Sequence, residues 1–132
     1  MKKLGISFFL VLTLSNYVLA HEGHGVPGAS QTPHGGVVQG NTELFFELVN
    51  EAGGIKLYPL THDMAPIALA DVVIDGSAQA PKKSKQPIKF ADVEDHFEAK
   101  VDEKGAYRYI LEITTKYKGK KGKVTFQVEP QN

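Results

Sequence analysis

From residue 37 to residue 129 apolar and polar positions alternate with a period of two. In residues 42–49, Leu44, Phe46 and Leu48 point one way while Glu43 and Glu47 point the other. That spacing predicts a strand with one buried face. Phe45 and Val49 share the face of the two glutamates, so that face is expected to be partly covered. Glu51-Ala52-Gly53-Gly54 reads as a turn, and residues 55–58 as the returning strand of a hairpin. Pro59 limits this strand or places it on a sheet edge. Further strands are predicted over residues 69–74, ended by Asp75-Gly76, over 87–90, and over 96–101. In the last of these Phe97, Ala99 and Val101 face inward and His96, Glu98 and Lys100 outward.

The longest strand is expected over residues 106–115, with Tyr107, Tyr109, Leu111 and Ile113 on one face. Residues 123–129 close the chain, with Val124, Phe126 and Val128 inward. Residues 61–66, 77–86, 91–95, 102–105 and 117–122 read as loops or turns. No segment sustains a helical period, and the one helical candidate, 65–71, contains Pro66. Seven or eight short strands result. They predict an all-β antiparallel sandwich or barrel in which each sheet keeps one wet face.

Before residue 37 the pattern is different. Met1-Lys2-Lys3 precedes an apolar run from Leu4 to Leu14, and Val18-Leu19-Ala20 follows. This is the order of a signal peptide cleaved after Ala20. The run is shorter than the ~20 residues that span a bilayer. The expected organisation is a signal peptide at 1–20, a flexible histidine-containing arm at 21–33 and a sandwich domain at 34–130. The product would be exported and soluble, with no stable membrane insertion after cleavage. Its 112 residues suit one domain. The chain has no cysteine, which excludes disulfides and thiolate metal sites. Without Lys2 and Lys3, 13 basic residues stand against 15 acidic ones, so no global field draws nucleic acid. Lysine clusters at 82–89 and 116–123 read as solvated loops.

The candidate chemistry is carried by histidines. Cleavage would make His21 the first residue, where its α-amine and imidazole chelate one metal together and His24 adds a third nitrogen. Such nitrogen-rich sets suit Cu(II), Ni(II) and Zn(II). His34, in Pro33-His34-Gly35-Gly36, stands where the arm meets the first strand, with two glycines giving a ligand access. His62-Asp63-Met64 sits in a loop and offers imidazole, carboxylate and thioether. His96, between Asp95 and Glu98, reads as a solvated strand residue. Strand parity places His34 at the end of the domain opposite His62, and lets His62 and His96 share the other end.

The run His34-Gly35-Gly36-Val37-Val38, the alternating strand through Phe46 and Leu48, and Leu57-Tyr58-Pro59-Leu60-Thr61-His62-Asp63 resemble a family of proteins. These are small exported, His-rich bacterial proteins associated with heavy-metal (copper or zinc) efflux and resistance. The resemblance implies an immunoglobulin-like sandwich and periplasmic metal handling through His34 and His62. More distantly the chain is similar to copper-resistance sandwiches whose mature chain begins with His. The expected function is a periplasmic metal-binding protein, a carrier, buffer or efflux accessory. A copper or zinc ion would be held by His21, His24, His34, His62, Asp63 and Met64. The expected partners are the metal ion and a metal-efflux or other envelope protein. The alternative is a non-metal immunoglobulin-like interaction module of the cell envelope. No Ser/His/Asp order, nucleophile elbow or phosphate loop is present, so no enzyme activity is expected.

Overall fold

Alternation of inward and outward side chains produces nine strands in the computed structural model, which describes residues 32–103 and 105–131. In chain order they are β1 (Val37–Gly40), β2 (Phe45–Glu51), β3 (Gly54–Leu60), β4 (Val72–Gln79), β5 (Gln86–Ile88), β6 (Ala91–Val93), β7 (His96–Ala99), β8 (Tyr109–Tyr117) and β9 (Lys120–Val128). One sheet has the order β1-β2-β3-β7-β6 and the other β5-β4-β8-β9. Every pairing is antiparallel. The two sheets pack face to face as the immunoglobulin-like sandwich expected from the sequence.

The core lies between the sheets. Leu44, Phe46, Leu48, Ile55 and Leu57 meet Leu111, Ile113, Val124, Phe126 and Val128, all buried. Burying each such side chain stabilises the fold by ~1.5–3 kcal/mol. The inward positions read from the alternation are therefore correct for Leu44, Phe46 and Leu48, for Phe97 and Ala99, for Tyr109, Leu111 and Ile113, and for Val124, Phe126 and Val128.

The structure corrects several boundaries. The strand expected from residue 42 starts at Phe45, because Asn41 holds a turn: its Oδ1 accepts the amides of Glu43 and Leu44. Asp75-Gly76 does not end a strand. β4 runs through both residues, and Gly76 is required because the Phe90 ring lies where a Cβ would stand. Residues 91–95 are not wholly a turn: β6 occupies Ala91–Val93, and only Glu94-Asp95 turn back into β7. β8 begins at Tyr109, leaving Tyr107 outside the strand and 71% exposed. Residues 65–71 yield a single 3-10 turn, Leu69–Asp71.

Pro59 lies within β3, in register with Phe46. Its carbonyl accepts the amide of Ile67, so its backbone polar edge points away from β2. The missing N–H therefore breaks no bond to β2. β7 pairs only with Ile55, Lys56 and Leu57, and leaves Pro59 clear.

Candidate functional site

The outer face of the five-stranded sheet carries a row of side chains across four strands. Register places Val38 of β1 beside Glu47 of β2, and Glu47 beside Tyr58 of β3. The step after Leu57↔Phe97 puts His96 of β7 opposite Tyr58. Outward positions on a sandwich are normally wet, yet Glu47 is fully buried and His96 only 7% exposed.

What covers Glu47 is the run from Thr32 to Gly36, which folds back over the sheet. The Glu47 carboxylate accepts the amide of His34 at 2.9 and 3.1 Å and the amide of Gly36 at 2.8 Å. Nδ1 of His34 lies 2.8 Å from Oε1 of the same carboxylate. Both glycines are needed for this wrap. Gly35 takes φ +72°, and a Cβ on Gly36 would collide with the Leu48 carbonyl and the Glu47 side chain. Burial pushes the Glu47 pKa up. The Gly36 amide, the His34 imidazole, Thr32 and the His34 amide outweigh it and hold the group below its ordinary range.

An ionised carboxylate only accepts hydrogen bonds, so Nδ1 of His34 must carry the proton. In the neutral imidazole Nε2 then holds the lone pair. The ring stacks on Tyr58, with centroids 3.6 Å apart and planes 14° from parallel, and its side chain is 34% exposed. Tautomer and orientation are both fixed, and the free nitrogen belongs to a ring that solvent reaches.

Tyr58 also touches His96, with centroids 4.9 Å apart. The two nitrogens of His96 are both committed: Nδ1 to Asp95 at 3.0 Å and Nε2 to Glu98 at 2.9 Å. A neutral ring would turn a lone pair toward one carboxylate; the imidazolium donates to both. Burial lowers the His96 pKa, but the Asp95 and Glu98 bonds prevail and the net shift is upward. With both ring nitrogens bonded to carboxylates, His96 has neither one free for a metal.

His62 stands apart. Its Nε2 donates to the Asn41 carbonyl at 3.1 Å, just beyond the far end of β1, and its ring meets Phe45 edge-on at 4.7 Å. Asp63 is exposed and Met64 half-buried in the turn closed by the Met64 amide and the Thr61 carbonyl. The antiparallel register sets the start of β7, and so His96, toward the end of β3 that leads to His62, and Tyr58 brings His34 to His96 as well. His21 and His24 lie outside the described residues.

Among the described residues no three His, Asp or Glu side chains are arranged to hold a metal ion. The parts not anticipated from the sequence are Glu47, Tyr58 and His96. The available signal for Glu47 was the Gly35-Gly36 pair, whose backbone freedom suits amides converging on a buried carboxylate.

No family model matches the chain, and no curated protein does. Among solved structures it is similar to a DUF4426 family protein from Pseudomonas aeruginosa. The identity is 17% and the TM-score 0.51, over 73% of this chain and 99% of that one. At this identity the likeness concerns the fold alone.

Proposed function

We propose that the chain is a periplasmic metal-binding protein, a carrier, buffer or efflux accessory for copper or zinc, with His34 as the ligand borne by the domain. The observation that supports this reading is the Glu47–His34 pair. A carboxylate on Nδ1 fixes the tautomer and turns Nε2 outward, which is how metal-ligating histidines are commonly held. One imidazole is a weak site on its own. The remaining nitrogens in this reading are those of His24, the His21 imidazole and the His21 α-amine freed by cleavage after Ala20. The amine's pKa of ~7.7–8 lets a metal displace its proton near neutrality. His62, Asp63 and Met64 belong to a different end of β1 and would form a separate, weaker contact. The role is binding without catalysis, and it agrees with the resemblance to heavy-metal resistance proteins.

The test is titration of a chain beginning at His21 with Cu(II) and Zn(II), read by calorimetry and, for Zn(II), by histidine ring NMR signals. One equivalent of Zn(II) should shift His34, and Glu47→Gln should weaken binding roughly 10–100-fold. An additional residue before His21 should remove the amine's share. Histidine signals unmoved by equimolar Zn(II), with no heat from either metal, would end the proposal.

A second reading, an immunoglobulin-like interaction module of the envelope, draws on Tyr107. It is exposed, with the Arg108 guanidinium 5.2 Å from its ring centroid, a pairing common in binding surfaces. Envelope-protein capture that survives chelator but fails with Tyr107→Ala would favour it.

A further inference from the structure

The sandwich is open along the side where β5 edges one sheet and β6 the other. The chain crosses between the sheets there through Lys89-Phe90. Beneath this crossing, against the β2–β3 hairpin, lies a cleft of about 500 Å3. That falls within the ~300–1,000 Å3 of small-molecule sites. Its accessible apolar lining is half-buried Ile88 with exposed Pro87 and Ala91, above the buried core residues Ile55 and Ala99.

We propose that this cleft binds a single-chain amphipathic carboxylate, such as a medium-chain fatty acid, with the chain on the floor of Pro87, Ile88 and Ala91 and the carboxylate between Lys89 and Lys100. The charges carry the argument. Two carboxylates line the cleft, and both are committed. Glu51 pairs with Lys56 at 3.4 Å, and Glu98 holds His96 at 2.9 Å. Lys89 and Lys100 approach from the two different sheets and are both exposed. Among the described residues neither has a carboxylate at ion-pair distance. Two uncommitted cations over an apolar floor fit a ligand with an anionic head and a hydrocarbon tail. A small inorganic anion would leave the floor wet, and a cationic amphiphile would meet repulsion. The site is separate from His34 and stands or falls independently of metal binding.

The experiment follows backbone amide NMR shifts of the chain beginning at His21 during titration with decanoate. Decyltrimethylammonium, acetate and anionic phospholipid vesicles serve as comparison probes. Saturable shifts centred on Ile55, Ile88 and Ala99 are expected with decanoate alone. The Lys89→Glu/Lys100→Glu variant should bind it roughly tenfold more weakly or worse, since charge-assisted hydrogen bonds are lost. Should that variant misfold, Lys89→Gln/Lys100→Gln keeps the test and should still lose affinity. Four outcomes overturn the proposal: no saturable shifts, equal binding by the cationic amphiphile or by acetate, full affinity in the lysine variants, or binding of vesicles in place of free decanoate.

Discussion

Nδ1 of His34 and Oε1 of Glu47 stand 2.8 Å apart, and the same carboxylate takes the amides of His34 and Gly36. One buried anion thus ties the run before β1 to the middle of the sheet. Removing it leaves amide donors without a partner. Glu47→Ala should lower unfolding free energy by ~2–4 kcal/mol, and urea denaturation would measure this. A loss no greater than at half-buried Glu43 would show that the carboxylate holds nothing.

Acid should act on the same contact. The Glu47 pKa is held below its ordinary 4.5, so the folded state binds its proton less readily than the unfolded chain. The resulting stability is fully present above 4.5 and is lost as pH falls through the lower folded value. Wild type should lose stability in that window, and Glu47→Gln should lose less. Parallel acid denaturation curves for the two proteins would contradict this.

His96 behaves with the opposite sign. Its pKa is raised above the ordinary 6.5, so its stabilising share is complete below 6.5 and is lost as pH climbs through the folded value. NMR titration should find His96 protonated to higher pH than a free histidine. Asp95→Asn together with Glu98→Gln should bring its midpoint down. An unchanged midpoint in that double variant would remove the two carboxylates as the cause.

Gly36→Ala tests the geometry of the wrap. The added methyl meets the Leu48 carbonyl, which belongs to the β2 ladder and yields little. The cost should be ~1–3 kcal/mol, with the His34 ring signals shifting as it leaves Tyr58. A variant as stable as wild type would mean that the run from Thr32 to Gly36 does not pack as described.

Tyr58→Leu keeps bulk but removes the ring shared by His34 and His96. Aromatic contacts of this kind add ~0.5–1.5 kcal/mol beyond area burial. Ring-current shifts of both histidines should collapse together. If only one moved, the row from Glu47 to His96 would not be continuous.

The sheets were legible because each strand has one wet face, so Leu44, Phe46, Leu111 and Val124 announce themselves by period alone. β6 was not: three residues, Ala91, Asp92 and Val93, are too few to show alternation, and the acidic pair after them resembles a turn. Gly76 misled because a strand glycine and a turn glycine look alike until Phe90 is in place. The parity of Glu47 and His96 was read correctly as outward. Their burial comes from residues folding over the sheet, the Thr32–Gly36 run above Glu47 and Tyr58 beside His96. That non-local cover leaves no periodic trace in the sequence.

Among the described residues β9 ends its sheet with nine residues and no hydrogen-bonded strand on its far side, although β1 of the other sheet lies near part of it. A long free edge is a template onto which another molecule's strand can add. Lys120, Lys121 and Lys123 stand on that edge strand, all exposed, so two such edges brought side by side would repel. Lysines that look like idle surface charge thus guard against self-association. Neutralising them should leave each molecule folded while making concentrated solutions prone to form fibrils.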